Sequence, residues 1–217
     1  MLLLQDVPQP ELSLWQLCLD GGWIMLVLAV LLVIAIYLFV ERAIVLRKAS
    51  RQDDTFMKRI KDYIYDGEID SARLLCKQTD SPYSRLIAKG LSRIGRPMND
   101  ILVTIENTGN LEVARLSKGL PWLATTAAGA PMLGFLGTVI GMVQSFYAIA
   151  QSGNTAQIGS FADGIYTALV TTVAGLIVGI LALFAYNYLV SRVNNVMNLM
   201  EARTMDFMDL LNEPAKN

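Results

Sequence analysis

The chain has 217 residues, 53% of them hydrophobic and only 17% charged, with a mean hydropathy of +0.43. The apolar residues gather in three blocks separated by polar sequence, where a soluble domain would spread them at helix or strand period, so the composition reads as an all-α polytopic membrane protein. A formal net charge of −1 gives no electrostatic basis for nucleic-acid binding; with no histidine and only Cys18 and Cys76, neither a metal site nor another cofactor site is expected.

Residues 1–22 lack the basic start of a signal peptide. In ELSLWQLCLDGGW, Leu12, Trp15 and Leu19 share one helical face, which suggests a short helix lying in the outer membrane–water interface; an irregular tail is the alternative. Residues 23–41 form the first span, WIMLVLAVLLVIAIYLFV closed by Glu41. It is bulky and β-branched, which suits a lipid-facing anchor.

Residues 42–120 read as helices punctuated by Gly and Pro, a small cytoplasmic domain with no strand-like alternation. Phe56, Ile60 and Ile64 fall at helical spacing within Arg51 to Tyr65, which stops at Asp66-Gly67. Ile69, Ala72, Leu75 and Cys76 form the next stripe, and Tyr83 to Ile94 a third helix closed by Gly95 and Pro97. Asn99 is placed to cap a fourth helix, expected to run on into the second span with a bend at Pro121.

The second span, 121–150, carries no charge. It has prolines at 121 and 131, glycines at 129, 134, 137 and 141, and Thr138 near its middle. Small residues let helix backbones approach closely, and hydroxyls in lipid face protein or a pore. A polar outer loop, 151–159, leads to the third span, 160–189, rich in Ala168, Gly175 and Gly179 with Thr167, Thr171 and Thr172. Asp163 lies at its outer mouth. From 190 to 217, Val193, Met197, Met200, Met208 and Leu211 continue a helical stripe.

The distribution of charge sets the expected topology. Of the 18 Lys and Arg, fifteen lie between Arg42 and Lys118 and three after residue 191. By the positive-inside rule the 42–120 domain and the C-terminus are expected in the cytoplasm and the N-terminus outside. Cys18 and Cys76 then lie on opposite sides and cannot pair within one chain.

Depth links the two small-residue spans. Thr138 is sixteen residues from Trp122 and Thr172 sixteen from Tyr188, so at about 1.5 Å per residue both fall near mid-membrane. Thr138 shares a helical face with Pro131, Gly134, Gly141 and Ser145, and Thr172 one with Ala168, Gly175 and Gly179. Two such faces suit a slot for another helix, and equally suit ordinary packing with the threonines bonded to their own backbone.

The stretches GLPWLATTAAGAPMLGFLGTVIGMVQSF and ADGIYTALVTTVAGLIVGILALFAYNYL resemble the MotA/TolQ/ExbB proton-channel family, most closely ExbB and TolQ, over residues 119–190. The layout of three spans and a large cytoplasmic loop fits the same branch, since MotA has four spans. The resemblance implies a stator subunit of a motor driven by the proton motive force in a bacterial inner membrane. Five copies (a homopentamer) would surround two single-span ExbD/TolR-like partners. A partner aspartate would carry H⁺ or Na⁺ past Thr138 and Thr172, with Thr171 and Thr167 alongside and Pro131, Gly134, Gly137, Gly141, Ala168, Gly175 and Gly179 packing the pore-side helices. Work would reach a TonB- or TolA-like protein, for outer-membrane uptake or for the Tol–Pal envelope system. ExbB and TolQ usually carry glutamate where this chain has Thr167, so the ion-binding carboxylate would come wholly from the partner. A passive scaffold is the rival reading. An enzyme is not expected, as no phosphate-cradling motif or intramembrane carboxylate pair is present.

Overall fold

A computed structural model describes residues 22–50, 54–152 and 158–212. The N-terminal interfacial segment with Cys18, most of the outer loop and the last five residues lie outside the described residues. The described residues form helices joined by short connections, in the order α1 Gly22–Ala49, α2 Asp54–Tyr65, α3 Ile69–Gln78, α4 Pro82–Leu91, α5 Met98–Leu116, α6 Leu120–Ser152 and α7 Ile158–Asn212. Among the described residues three helices are long and apolar enough to cross a membrane, at Gly22–Ala49, Leu120–Gln151 and Ala162–Asn212, with mean hydropathies of 3.1, 1.6 and 2.5.

The chain divides into two compact units. The first comprises the described parts of Met1–Ile36 and Leu123–Phe184. Its apolar centre joins the three spans: Ile24 and Leu28 of α1 meet Ala130 of α6 and Val178 of α7, flanked by Leu31, Leu133 and Ala174. The anchor helix therefore buries one side against protein and leaves Leu26, Val33 and Ile36 exposed.

The second unit comprises Tyr37–Trp122 and Ala185–Asn217, the latter described to Asn212. Its helices are amphipathic. Phe56 and Ile60 of α2, Ala72 and Cys76 of α3, Leu86, Ile87 and Leu91 of α4 and Ile105 of α5 are all buried. Phe56 packs edge-to-face on Tyr83, with ring centroids 5.3 Å apart. The N-terminus of α4 is fixed by a capping box, in which Ser81 and Ser84 each bond the other's backbone N–H at 3.2 Å with Pro82 in the first turn.

Three expectations change. The fourth helix does not run into the second span through a bend at Pro121. It stops at Leu116, and a turn over 117–119 precedes a new helix. Gly119 supplies the left-handed conformation, φ +89°, that ends one helix, and Pro121 belongs in the first turn of the next, where its missing N–H costs nothing. Asn99 does not cap that fourth helix; Pro97 occupies the cap and Asn99 lies within the first turn. The stripe after residue 190 buries Val193 and Met200 as expected, but its deepest later members are Val196, Phe207 and Leu210, with Met208 and Leu211 half-buried. Phe207 is fully buried because Gly90 faces it: a methyl added at Gly90 would sit 2.6 Å from the ring and 2.9 Å from Ile105 Cδ1.

A buried carboxylate ties this unit together. Glu112 of α5, 3% exposed, accepts from Arg85 of α4 at 2.7 Å and from Arg115 at 2.8 Å. Arg85 also pairs with Asp80 at 2.7 Å, and Asp80 with Lys48 of α1 at 3.2 Å. The Lys48 hydrogen bond and charge, then the Arg85 guanidinium, hold the Asp80 carboxyl below its ordinary range. Arg42 of α1 donates to the Arg115 carbonyl at 3.4 Å and to Glu41 at 2.6 Å.

Glu112→Gln is expected to cost about 1–3 kcal/mol, the loss of charge-assisted bonds whose arginine partners water can still reach. Asp80→Asn, at an exposed pair, should cost under about 1 kcal/mol. A depressed carboxyl contributes stability that is present above its unfolded pKa and lost as pH falls through its folded one, so the Asp80 contribution should fade only below about pH 4. Thermal melts of both variants between pH 3 and 7 check the order and the window. Burial pushes the Cys76 thiol up to about 12, so in a Cys18→Ser background Cys76 should resist iodoacetamide at pH 8 until the protein is unfolded. Rapid labelling of the native chain would contradict that placement.

Candidate functional site: a paired-threonine contact between two glycine-faced helices

The site lies within the first unit, where α6 and α7 meet through their small residues. A methyl added at Gly134 would fall 2.9 Å from the Thr171 carbonyl oxygen and 3.2 Å from Gly175 Cα. One at Gly175 would fall 2.6 Å from the Ala130 carbonyl oxygen. Such approach is open only to glycine, because any Cβ would need a backbone to shift. The same holds above and below. Gly141 lies against Gly164 and Ala168, Gly137 against the Thr171 side chain, and Gly179 against the Pro131 ring.

Pro131 has no N–H to give the Ala127 carbonyl one turn earlier. That carbonyl faces Gly179, 3.1 Å from where a Cβ would stand. A bulkier residue at 179 would press on both the proline ring and the freed carbonyl.

The hydroxyls follow from this spacing. Thr138 and Thr172, expected at one depth, are in hydrogen-bond contact through their Oγ1 atoms. Thr172 also donates to the Gly134 carbonyl at 3.0 Å, and Thr138 lies 3.3 Å from the Ala168 carbonyl and 3.4 Å from that of Gly134. Both are half-buried, so the pair can be reached from one side. Thr171 is 1% exposed and donates to Ala168 at 2.8 Å; it is shut between the helices against Gly137. Thr167 is half-buried one turn earlier on α7. The glycines are packing positions within one chain, and the two central threonines sit at the edge of that packing.

Chemically, the pair offers two neutral hydroxyls. Each hydroxyl has one donor and two acceptor sites, so two O–H groups can turn inward to carbonyls or outward to a guest. A carboxylate beside them would receive O–H bonds, and a protonated carboxyl would donate to a threonine oxygen. Neither state needs a fixed protein charge.

Ser145 and Gly164 extend the contact outward. Ser145 is 2% exposed, donates to Gly141 at 2.9 Å and fills the space over Gly164. Helical spacing puts Ser145 on the Thr138 face. The matching role of Gly164 had only a weak signal, a small residue one turn before Ala168. Asp163 is exposed beside it.

The profile of the MotA/TolQ/ExbB proton channel family matches residues 78–202. A protein of Methanothermobacter thermautotrophicus named as an ExbB homolog is 30% identical over 183 residues, 84% of this chain but 64% of that protein, so the chain spans just under two thirds of its length. The biopolymer transport protein ExbB of Neisseria gonorrhoeae is 32% identical over 70% of this chain and 74% of its own length. The Tol-Pal system protein TolQ of Haemophilus influenzae is 39% identical over 40% of this chain and 38% of its own. Since the profile spans more than half of the chain, including all the helix–helix contacts just described, the chain belongs to the MotA/TolQ/ExbB proton channel family, close to ExbB and TolQ.

Proposed function

We propose that the chain is the channel-forming stator subunit of a motor driven by the proton motive force in a bacterial inner membrane. Copies of it, five on the family's pattern, enclose single-span ExbD/TolR-like helices, and an aspartate on those helices binds and releases the ion. The N-terminus is periplasmic and the C-terminus cytoplasmic, following the flanking basic residues.

The single observation that carries this reading is the contact between Thr138 and Thr172 in a wall without charge. A charge at mid-membrane costs roughly 2.5–3.5 kcal/mol on insertion scales, which a guest aspartate escapes when it takes up a proton. Each charge moved across the potential yields about 2.3 kcal/mol per 100 mV, enough to bias such steps. Hydroxyls that bond either state let the guest pass without trapping it. Thr167, where the relatives' pattern implied by the resemblance has glutamate, leaves the guest as the sole deep carboxyl. Protons are the natural ion; Na⁺ would need further oxygen ligands around the same hydroxyls.

The energy is delivered through the partner's outer domain to a TonB-like protein and outer-membrane uptake. The Tol–Pal envelope system is the alternative outlet, since relatives named ExbB and a relative named TolQ both match the chain.

In liposomes carrying the chain with its single-span partner, Thr138→Val and Thr172→Val should each lower proton flux roughly 10- to 100-fold, the equivalent of about 1.5–3 kcal/mol for a hydrogen bond to an ionising group. Assembly should be unchanged. Gly175→Val should lower flux and assembly together, since it forces the helices apart. Parent-like flux in both threonine variants returns these residues to packing alone, and no flux from the parent complex points to a passive scaffold.

A further inference from the structure

Three threonine hydroxyls, those of Thr138, Thr171 and Thr172, crowd two backbone carbonyls where α6 meets α7, and setting protons against acceptors separates their roles. A carbonyl oxygen has two acceptor sites. In each helix one is taken by the backbone N–H four residues on, that of Thr172 at Ala168 and that of Thr138 at Gly134. The second site at Ala168 receives the Thr171 hydroxyl at 2.8 Å, and the second at Gly134 the Thr172 hydroxyl at 3.0 Å. Both carbonyls are then full.

Thr138 is the hydroxyl left over. Its oxygen lies 3.3 Å from the Ala168 carbonyl and 3.4 Å from that of Gly134, farther than the hydroxyls already bonded there and at the long edge of hydrogen-bond geometry. With the Thr172 proton on Gly134, the contact between the two central hydroxyls is made by the Thr138 proton. Of the three hydroxyl protons it is the one not committed to backbone. Thr138 is also half-buried, where Thr171 is 1% exposed.

We infer that Thr171 is a positioning residue for ion transfer: by filling the Ala168 carbonyl it keeps the Thr138 hydroxyl available to turn from Thr172 to a guest carboxylate. The inference rests on the proposed function for the guest. Thr171 itself is shut against Gly137 and acts only through Thr138. Without its hydroxyl, the Ala168 carbonyl has an empty acceptor site 3.3 Å from the Thr138 oxygen. A bond inside the wall then competes for the proton that would solvate the ionised guest.

The test is proton flux, followed across pH, in liposomes carrying the full chain with its single-span partner. Thr171→Val should lower flux about tenfold at neutral pH, the loss of one hydrogen bond to an ionised group. Its pH of half-maximal flux should move upward, because the ionised guest has lost a donor. The partner should co-purify as with the parent. Thr171→Ser, which keeps the hydroxyl, should retain parent flux. A packing role predicts the opposite order, since valine fills the place against Gly137 and serine leaves a void. Parent-like flux and pH profile in Thr171→Val overturn the inference. So does a loss in Thr171→Ser as large as that in Thr171→Val, or loss of the partner from the valine variant. If the parent complex itself carries no protons, the proposed function fails and takes this inference with it.

Discussion

The backbone contact between α6 and α7 at Gly134 and Gly175 is the constraint on which the membrane unit depends. Without side chains there, the Ala130 and Thr171 carbonyls can stand at van der Waals distance from the opposing helix. In lipid no hydrophobic force drives helices together, so closeness of packing carries the association. One consequence is chemical. Only at this separation can hydroxyls on the two helices meet, and only there can Thr172 reach the Gly134 carbonyl across the interface at 3.0 Å.

A carboxylate at position 172 would face a desolvation cost that the threonine hydroxyl avoids. Thr138 and Thr172 satisfy one another inside the chain. Pro131 is the companion device. It leaves a carbonyl of α6 without its usual donor, and Gly179 lets α7 close over that place.

The helical unit is held by a different kind of interaction. Glu112 is buried among helices yet linked through arginines to the exposed pairs at Asp80 and Lys48, and Arg115 offers its carbonyl to Arg42. A buried carboxylate is tolerable because its arginine partners reach water, with Arg85 39% and Arg115 71% exposed at the side chain. The network joins α1, α4 and α5 by directional bonds, where the apolar core alone would allow sliding.

The three spans, the helical segment between the first two and the equal level of Thr138 and Thr172 along their helices were legible in the residues, because hydropathy, spacing and helical rise are local and additive along the chain. The sequence could also rank the small residues as interface positions. Which partner each would meet was not readable: Gly90 against Phe207, Gly164 against Ser145 and Gly179 against Pro131 join residues about twenty to more than a hundred positions apart and depend on rotation about long helices. The break at 117–119 was missed because Pro121 reads equally as a bend or as a first-turn residue, and only the left-handed φ of Gly119 separates the two. Composition and periodicity thus fixed what must be buried or must cross the membrane. Tertiary packing alone decided which carbonyls lie bare, which hydroxyls meet and where a charge could be enclosed, since those depend on contacts between segments that no local pattern encodes.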